Sequence, residues 1–105
     1  MKMNPEQLHQ QVTLASSYLK RLSHPVRLLV LCTLVEGERS VSELSELSEL
    51  ANVSQSALSQ HLAVLREHGL VSTRRESQTI FYSLADEHCI KIIDVLHEIF
   101  CPTSE

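Results

Sequence analysis

The sequence contains no tryptophan, and only two tyrosines and two phenylalanines supply aromatic side chains. Hydrophobic residues still make up 43% of the 105 residues, which argues against a disordered chain. The core must therefore be built from aliphatic side chains. A chain of this length suits one domain over residues 1–105, with a modest buried fraction that a second subunit would extend.

Long hydrophobic runs are also missing. The first residues, MKMNPEQLHQQ, contain no apolar segment of the kind found in signal peptides. No stretch reaches the length that a membrane-spanning helix requires. We therefore expect a soluble, cytoplasmic protein with no membrane partner.

The chain has no excess of positive charge, because its formal net charge is −4. Strong nucleic-acid binders are usually basic, so this value argues against general binding to polyanions. The charge is uneven, however. Residues 36–50 carry five glutamates and one arginine, whereas residues 66–75 carry three arginines and one glutamate. A local basic edge of this kind can still bind phosphates.

Only three cysteines are present, Cys32, Cys89 and Cys101, and no two of them form a CxxC pair. An odd number of cysteines in a reducing compartment does not indicate a framework of structural disulfides. Free thiols, metal ligands or a redox pair remain open. Cys101 is unusual for a core cysteine, because it ends the apolar run LHEIF and directly precedes Pro102.

The hydrophobic pattern predicts a mainly α-helical chain. Residues 5–22 place apolar side chains at spacings of four and three, which is typical of an amphipathic helix. A nearly all-apolar helix should follow from about Pro25 to Gly37 and lie at the centre. The last helix, about 86–100, has a wide apolar arc, so it should face both its own core and another subunit.

Between these helices the sequence predicts two shorter ones. SVSE at residues 40–43 has the form of a capping box, which begins the first of them. In this helix we expect Leu47, Leu50 and Ala51 inside and Leu44 at the margin.

Ser54 should cap the next helix, residues 54–68, and His61 should pack beside its buried stripe, which consists of Leu58, Leu62 and Leu65. The runs LVSTRR and TIFYSL then predict two strands joined at ESQ. Helix, turn, helix and hairpin in this order predict a winged helix-turn-helix.

The outer arc of the 54–68 helix carries small and amide side chains. Small side chains let a helix enter the major groove, and glutamine can bond adenine bidentately. The free N–H groups at the helix start, with Ser54 and Ser56, could hold a phosphate. For any one of these residues a merely solvated surface position stays open. The candidate DNA-binding residues are Ser54, Gln55, Ser56, Ser59, Gln60 and Arg66 on the helix, and Arg74, Arg75 and Gln78 on the wing.

The segments LSHPVRLLVLCTLVEGE, SQSALSQHLAVLREHGLV and RRESQTIFYSL give the chain a resemblance to the ArsR/SmtB family of bacterial repressors, over nearly its whole length. The resemblance implies a homodimer in which the first and last helices pair across the two-fold axis. It also implies a repressor that leaves its operator DNA when an inducer binds. From the outer arc of the 54–68 helix and the two apolar terminal helices we predict that the dimer binds an inverted repeat. The sequence has no cofactor motif.

Most members of this family sense metals, at positions that the chain does not keep. VSELSELSEL lacks the Cys-x-Cys of arsenic and cadmium/lead sensors. Zinc sensors have an Asp-x-His and a second His eleven residues later, whereas Asp86 and His88 are followed by His97 nine residues on. Nine residues turn about 900°, which places His97 on the opposite side of the helix. We therefore predict no metal site of these kinds.

Cys32 and Cys101 resemble the sensor thiols of the persulfide-sensing branch, the BigR, SqrR and HlyU group. The resemblance implies that a thiolate attacks a persulfide or polysulfide, and that the partner thiol closes a disulfide or longer sulfur bridge within one subunit. A disulfide needs Cα atoms roughly 4.4–6.8 Å apart, and extra sulfur atoms relax that limit. Pro102 should hold Cys101 out of helical geometry, and His97 should favour its thiolate. We interpret Cys89 as a packing residue.

The favoured hypothesis is a non-enzymatic repressor with a dithiol sulfur sensor, and three others remain open. A metal-responsive repressor would use Cys32, Cys101 and His97. A thiol enzyme for sulfur transfer or peroxide reduction would turn over its substrate, although the sequence has no catalytic triad order or phosphate loop. A winged helix that binds only proteins would show no salt-dependent DNA binding.

Overall fold

The structure, a computed structural model, describes residues 2–101. Its described elements are α1 (Pro5–Leu22), α2 (Pro25–Val35), β1 (Arg39–Ser40), α3 (Val41–Leu50), α4 (Gln55–Glu67), β2 (Val71–Glu76), β3 (Thr79–Leu84) and α5 (Glu87–Phe100). The predicted mainly α-helical fold with a hairpin wing is confirmed. The strands form an antiparallel sheet in the order β1-β3-β2. Strand β1 was not predicted, because two residues are too few to show an alternating pattern.

Local sequence signals set the helix boundaries. His24 caps α2 by accepting a hydrogen bond from the N–H of Val26, and proline occupies the first turn. Ser40 and Glu43 form the predicted capping box at the start of α3. Ser54 caps α4 through its side-chain oxygen, as predicted.

The core is aliphatic, as the composition predicted. Helix α2 lies at its centre, where it contacts α4, α5 and β3. Leu31 of α2 and Ile93 of α5 are fully buried. Complete burial of such a side chain stabilises the fold by about 1.5–3 kcal/mol. The predicted stripe of α4 is also confirmed and consists of Leu58, Leu62 and Leu65.

In α3 the predicted buried face is wrong. Leu44 and Ser48 are each only 2% exposed, whereas Leu50 is 84% exposed. Ala51 is also exposed, and Leu47 is half-buried. Positions four apart share one face of a helix, and the small side chain at position 48 lets α3 pack closely on α4. The triplet repeat of leucines concealed this four-residue spacing.

Helices α1 and α5 leave large apolar surfaces uncovered in the single chain. Leu22 is the only buried residue of α1. No helix within the described residues is long and apolar enough to cross a membrane. The exposed apolar side chains include Leu8, Val12 and Leu19 of α1 and Ile90, Val95, Ile99 and Phe100 of α5.

Candidate functional site

The outer face of α4 is polar and open to solvent. Leu58 points into the core, as the prediction assumed, and is 2% exposed. The Nε2 atom of Gln55 donates a hydrogen bond to the Oγ of Ser45 on α3, 3.1 Å away, so this amide also links the two helices of the motif. The predicted reading residues on the face are all exposed: Ser54, Gln55, Ser56, Ser59, Gln60 and Arg66.

The wing consists of β2, β3 and the turn between them, residues 71–84. Arg75 and Gln78 are exposed on it. Arg74, predicted as a DNA contact, lies in an ion-pair network in the single chain. Its Nε and Nη2 atoms each lie 2.8 Å from a carboxylate oxygen of Glu38, and its Nη1 lies 2.6 Å from Glu76. These hydrogen bonds, those to Glu38 first, raise the pKa of Arg74 above its usual range.

His61 of α4 packs against the start of α2, which agrees with its predicted packing role. Its Nδ1 accepts a hydrogen bond from the Nε of Arg27 at 3.1 Å. Its ring centroid lies 4.1 Å from that of His24. Burial lowers the pKa of His61, and the neighbouring His24 and Arg27 lower it further. A neutral imidazole is consistent with its packing role.

Cys32 and Cys101 line one cavity of about 700 Å³, here called the sensor cavity after the predicted role of the two thiols. Cys32 is half-buried in α2, and Cys101 is exposed at the end of α5. The backbone of Cys101, with φ −126° and ψ 59°, has left helical geometry as predicted. Pro102, the predicted cause, lies outside the described residues. Both thiols are free in this structure.

Glu36 joins the polar groups of the sensor cavity. One of its carboxylate oxygens lies 3.1 Å from Nε2 of His97, and the other lies 3.5 Å from Nη2 of Arg39. Burial raises the pKa of the Cys32 thiol, and the nearby Cys101 and Glu36 raise it further. The rest of the cavity wall includes Leu29, Thr33, Glu43, Glu46, Leu47 and Leu50.

Cys89 lies in a closed, packed environment near the start of α5. It is 0% exposed, which agrees with the predicted packing role. Beside it the hydroxyl of Tyr18 donates a 2.7 Å hydrogen bond to Asp86. Burial, and then the charge of Asp86, raise the pKa of Cys89 to about 11. This thiol is therefore protonated and shielded from reagents.

Within residues 2–101, no group of three or more histidine, cysteine, aspartate or glutamate side chains is arranged to hold a metal ion. Asp86 instead caps α5 by accepting the N–H of His88 at 3.1 Å. His97 lies near the other end of the same helix and contacts Glu36. Asp86 and His97 therefore lie near opposite ends of α5 in the single chain.

Sequence reasoning missed three polar residues that the fold brings to the site. Glu36 and Arg39 line the sensor cavity, and Glu38 holds the wing arginine. Glu38 and Arg74 lie 36 positions apart in the chain. The only signal in the sequence was the string EGER, in which charged residues flank Gly37.

Helices α3 and α4 with the following hairpin define a winged helix-turn-helix, a class of DNA-binding proteins. The family described as "Bacterial regulatory protein, arsR family" matches residues 24–73. The "Biofilm growth-associated repressor" of Xylella fastidiosa is 44% identical over 99 residues, covering 94% of this chain and 84% of that protein. The "Transcriptional activator HlyU" of Vibrio cholerae is 44% identical over 103 residues, covering 98% of this chain and 93% of that protein.

A solved structure gives the same assignment. The transcriptional repressor BigR from Xylella fastidiosa has a TM-score of 0.78 at 44% identity, covering 96% of this chain and 100% of that chain. The chain belongs to the ArsR family of transcriptional regulators, in the branch of BigR and HlyU that its sequence resembles. Membership in this family implies binding to operator DNA.

Proposed function

We propose that the chain is a homodimeric repressor that senses reactive sulfur through Cys32 and Cys101. The reduced dimer binds an inverted-repeat operator, and a sulfur bridge between the two thiols releases it. The observation that carries this proposal is the shared sensor cavity, which both thiols line. The third cysteine, Cys89, does not line that cavity and is buried from solvent.

The exposure of the two thiols supports an order of reaction. Cys101 is exposed, so its thiolate attacks the outer sulfur of an organic persulfide. The organic thiolate leaves, and a protein persulfide remains on Cys101. Cys32 then attacks the inner sulfur, and hydrogen sulfide leaves as the disulfide closes. The two cysteines together lose two electrons, and the transferred sulfur gains them.

A longer bridge follows by the same chemistry. If both thiols first become persulfides, one terminal sulfur attacks the inner sulfur of the other. Hydrogen sulfide leaves, and a trisulfide joins Cys32 to Cys101. The extra sulfur relaxes the limit of roughly 4.4–6.8 Å between Cα atoms that a plain disulfide imposes. The volume of the sensor cavity, about 700 Å³, gives the additional sulfur room.

Dimerisation is supported by the uncovered apolar faces of α1 and α5. Val95, Ile99 and Phe100 are 54%, 62% and 75% exposed in the single chain. Water contact with so many apolar side chains is unfavourable, and a second copy that covers them recovers that cost. A two-fold dimer also presents two copies of α4, which match half-sites about 34 Å apart.

The proposed DNA contacts fall into two groups. Gln55, Ser59 and Gln60 of α4 read base edges in the major groove, and Arg66 lies on the same open face. Ser54 and Ser56 hold a phosphate at the start of α4. On the wing, Arg75 and Gln78 contact the DNA backbone or the minor groove. Arg74 contributes there only as part of its network with Glu38 and Glu76.

The decisive experiment combines intact mass with DNA affinity. The reduced protein first selects an operator from a random duplex library, and it is then exposed to cysteine persulfide. We expect a bridge of two or three sulfur atoms between Cys32 and Cys101, and an operator affinity lower by about 5-fold to 150-fold, the usual range of allosteric coupling. Cys32→Ser and Cys101→Ser should bind the operator with the same affinity before and after exposure to the reagent.

Cys89→Ser is the matched control, because it removes a thiol that the reagent cannot reach. It should respond like the natural sequence. A bridge that forms without release, or loss of response in Cys89→Ser, would contradict the proposal. The metal-responsive alternative predicts instead that zinc or cadmium alone releases the DNA, with no change in covalent mass.

A further inference from the structure

Residues 36–39, here called the coupling segment, touch the sensor cavity on one side and the wing on the other. Glu36 contacts His97, which lies one helical turn before Cys101. Glu38, two positions later, accepts two hydrogen bonds from Arg74 of β2. The two contacts are therefore joined by a single intervening residue, Gly37.

The backbone of the coupling segment is tightly defined. Gly37 has φ +141°, a conformation that residues with a side chain rarely adopt. Its N–H donates a 3.1 Å hydrogen bond to the carbonyl of Leu34 at the end of α2. Arg39 then pairs with Tyr82 in the sheet, and Ser40 pairs with Phe81. A short backbone held at both ends transmits a displacement instead of absorbing it.

Arg74 is fixed to the coupling segment by more than charge. Two parallel N–H···O contacts of 2.8 Å join its guanidinium to both carboxylate oxygens of Glu38. Such bidentate pairs fix orientation as well as distance. The guanidinium also lies 4.4 Å from the ring of Phe81, its cross-strand neighbour on β3. The network therefore spans both strands of the wing.

We propose that Glu38 is a positioning residue that couples the sensor cavity to the wing. The inference rests on the proposed function, because it explains how a sulfur bridge changes DNA binding. A Cys32–Cys101 bridge draws the end of α5 toward α2 and displaces His97. Glu36 moves with His97, and Glu38 carries the displacement through Arg74 into the wing. An exposed ion pair with no coupling role is the competing explanation, since such pairs contribute little to stability.

Glu38→Gln tests the proposal, and Glu76→Gln is its matched control. Both variants remove one carboxylate from the same guanidinium, and both remove one negative charge next to Arg74 of the wing. Affinity for every DNA sequence should therefore rise by a similar factor in the two variants. Only Glu38 belongs to the coupling segment, however. The ratio of operator affinities between reduced and bridged protein should fall by about fivefold or more in Glu38→Gln. In Glu76→Gln this ratio should equal that of the natural protein.

Intact mass must show the bridge in both variants, which separates sensing from coupling. An unchanged affinity ratio in Glu38→Gln would overturn the proposal, and so would an equal fall in both variants. If the natural protein forms no bridge or stays on the operator, the proposed function fails instead. A second measurement without sulfur or DNA then decides the role of Glu38.

That measurement is a double-mutant cycle read by amide hydrogen exchange in the reduced, full-length protein. His97→Ala should speed exchange in the wing, residues 71–84, when Glu38 is present. The same change should have at least about fivefold less effect in the Glu38→Gln background. Equal effects of His97→Ala in the two backgrounds mean that no coupling passes through Glu38, and they overturn the inference.

Discussion

The two ends of α5 carry the same chemical group in opposite surroundings. Near its start, Cys89 is 0% exposed, and beside it Tyr18 donates a hydrogen bond of 2.7 Å to Asp86. At its end, Cys101 is exposed beside the sensor cavity. One end is closed and its polar groups are paired, whereas the other has uncovered apolar side chains such as Phe100, 75% exposed.

This difference indicates that the exposure of a thiol to reagents, more than its spacing in the sequence, decides whether the thiol can react. Burial raises the pKa of both Cys32 and Cys89, so neither is activated as a nucleophile by its surroundings. Cys32 nevertheless lines a cavity that a reagent and Cys101 can share. Cys89 has no such opening, and we expect it to remain inert for as long as α5 stays folded.

The largest predicted effect is in alkylation rates. In the reduced native protein, iodoacetamide should modify Cys101 first, Cys32 more slowly and Cys89 last. Cys89 reacts only after the core opens, and opening a stable core makes its reaction about 1,000-fold or more slower than in the unfolded chain. Peptide mass mapping over time measures the three rates. Rapid native labelling of Cys89 would remove the contrast between the two ends of α5.

The control for this experiment is the same labelling in concentrated urea. There the three thiols should react at rates that differ little, because neither burial nor the sensor cavity persists. A large difference that survived in urea would mean that local sequence, not folded structure, sets the reactivity.

The next effect is in stability. Asp86→Ala removes both the cap of α5 and the acceptor for Tyr18, so it should lower the free energy of unfolding by about 1–3 kcal/mol. Tyr18→Phe removes only the hydroxyl and should cost about 1 kcal/mol. His97→Ala at the other end breaks a partly exposed pair and should cost less than about 1 kcal/mol. Urea denaturation checks the order, and a costlier loss at His97 would reverse the comparison.

The packed end of α5 was largely predictable from the sequence, because its signals are local. Asp86 before an apolar run indicates a helix start, and a cysteine within a wide apolar arc indicates burial. The same holds for the caps at Ser40 and Ser54, whose partners lie three residues away. These features depend on spacing along one helix, which the sequence displays directly.

The open end was predicted only in part, because its contacts join distant segments. The predicted pairing of Cys32 with Cys101 came from a family resemblance and not from any periodicity, and it stays a prediction. Glu36 and His97 are 61 positions apart, and nothing in the sequence relates them. In α3 the error came from a repeat of three, which gave no basis for choosing position 44 over position 50.

The last and smallest effect concerns pH. Since burial and then the charges of Cys101 and Glu36 raise the pKa of Cys32, this thiol is mainly protonated near neutrality. Only the thiolate can close the bridge. With Cys101 already converted to a persulfide, closure should therefore accelerate by nearly tenfold, at most, for each pH unit between about 6 and 8. Rapid acid quenching and intact mass give the rate.

Glu36→Gln sharpens this test. Removal of that negative charge lowers the pKa of Cys32, so at a fixed pH of about 7 more thiolate is present and closure is faster. Glu46→Gln is the control, because Glu46 lines the same cavity but is not among the groups that raise the pKa of Cys32. We expect the bridge to close faster in Glu36→Gln than in Glu46→Gln, and we expect Glu46→Gln to close at the same rate as the natural protein. Equal closure rates in Glu36→Gln and the natural protein at that pH would show that deprotonation of Cys32 does not limit the bridge.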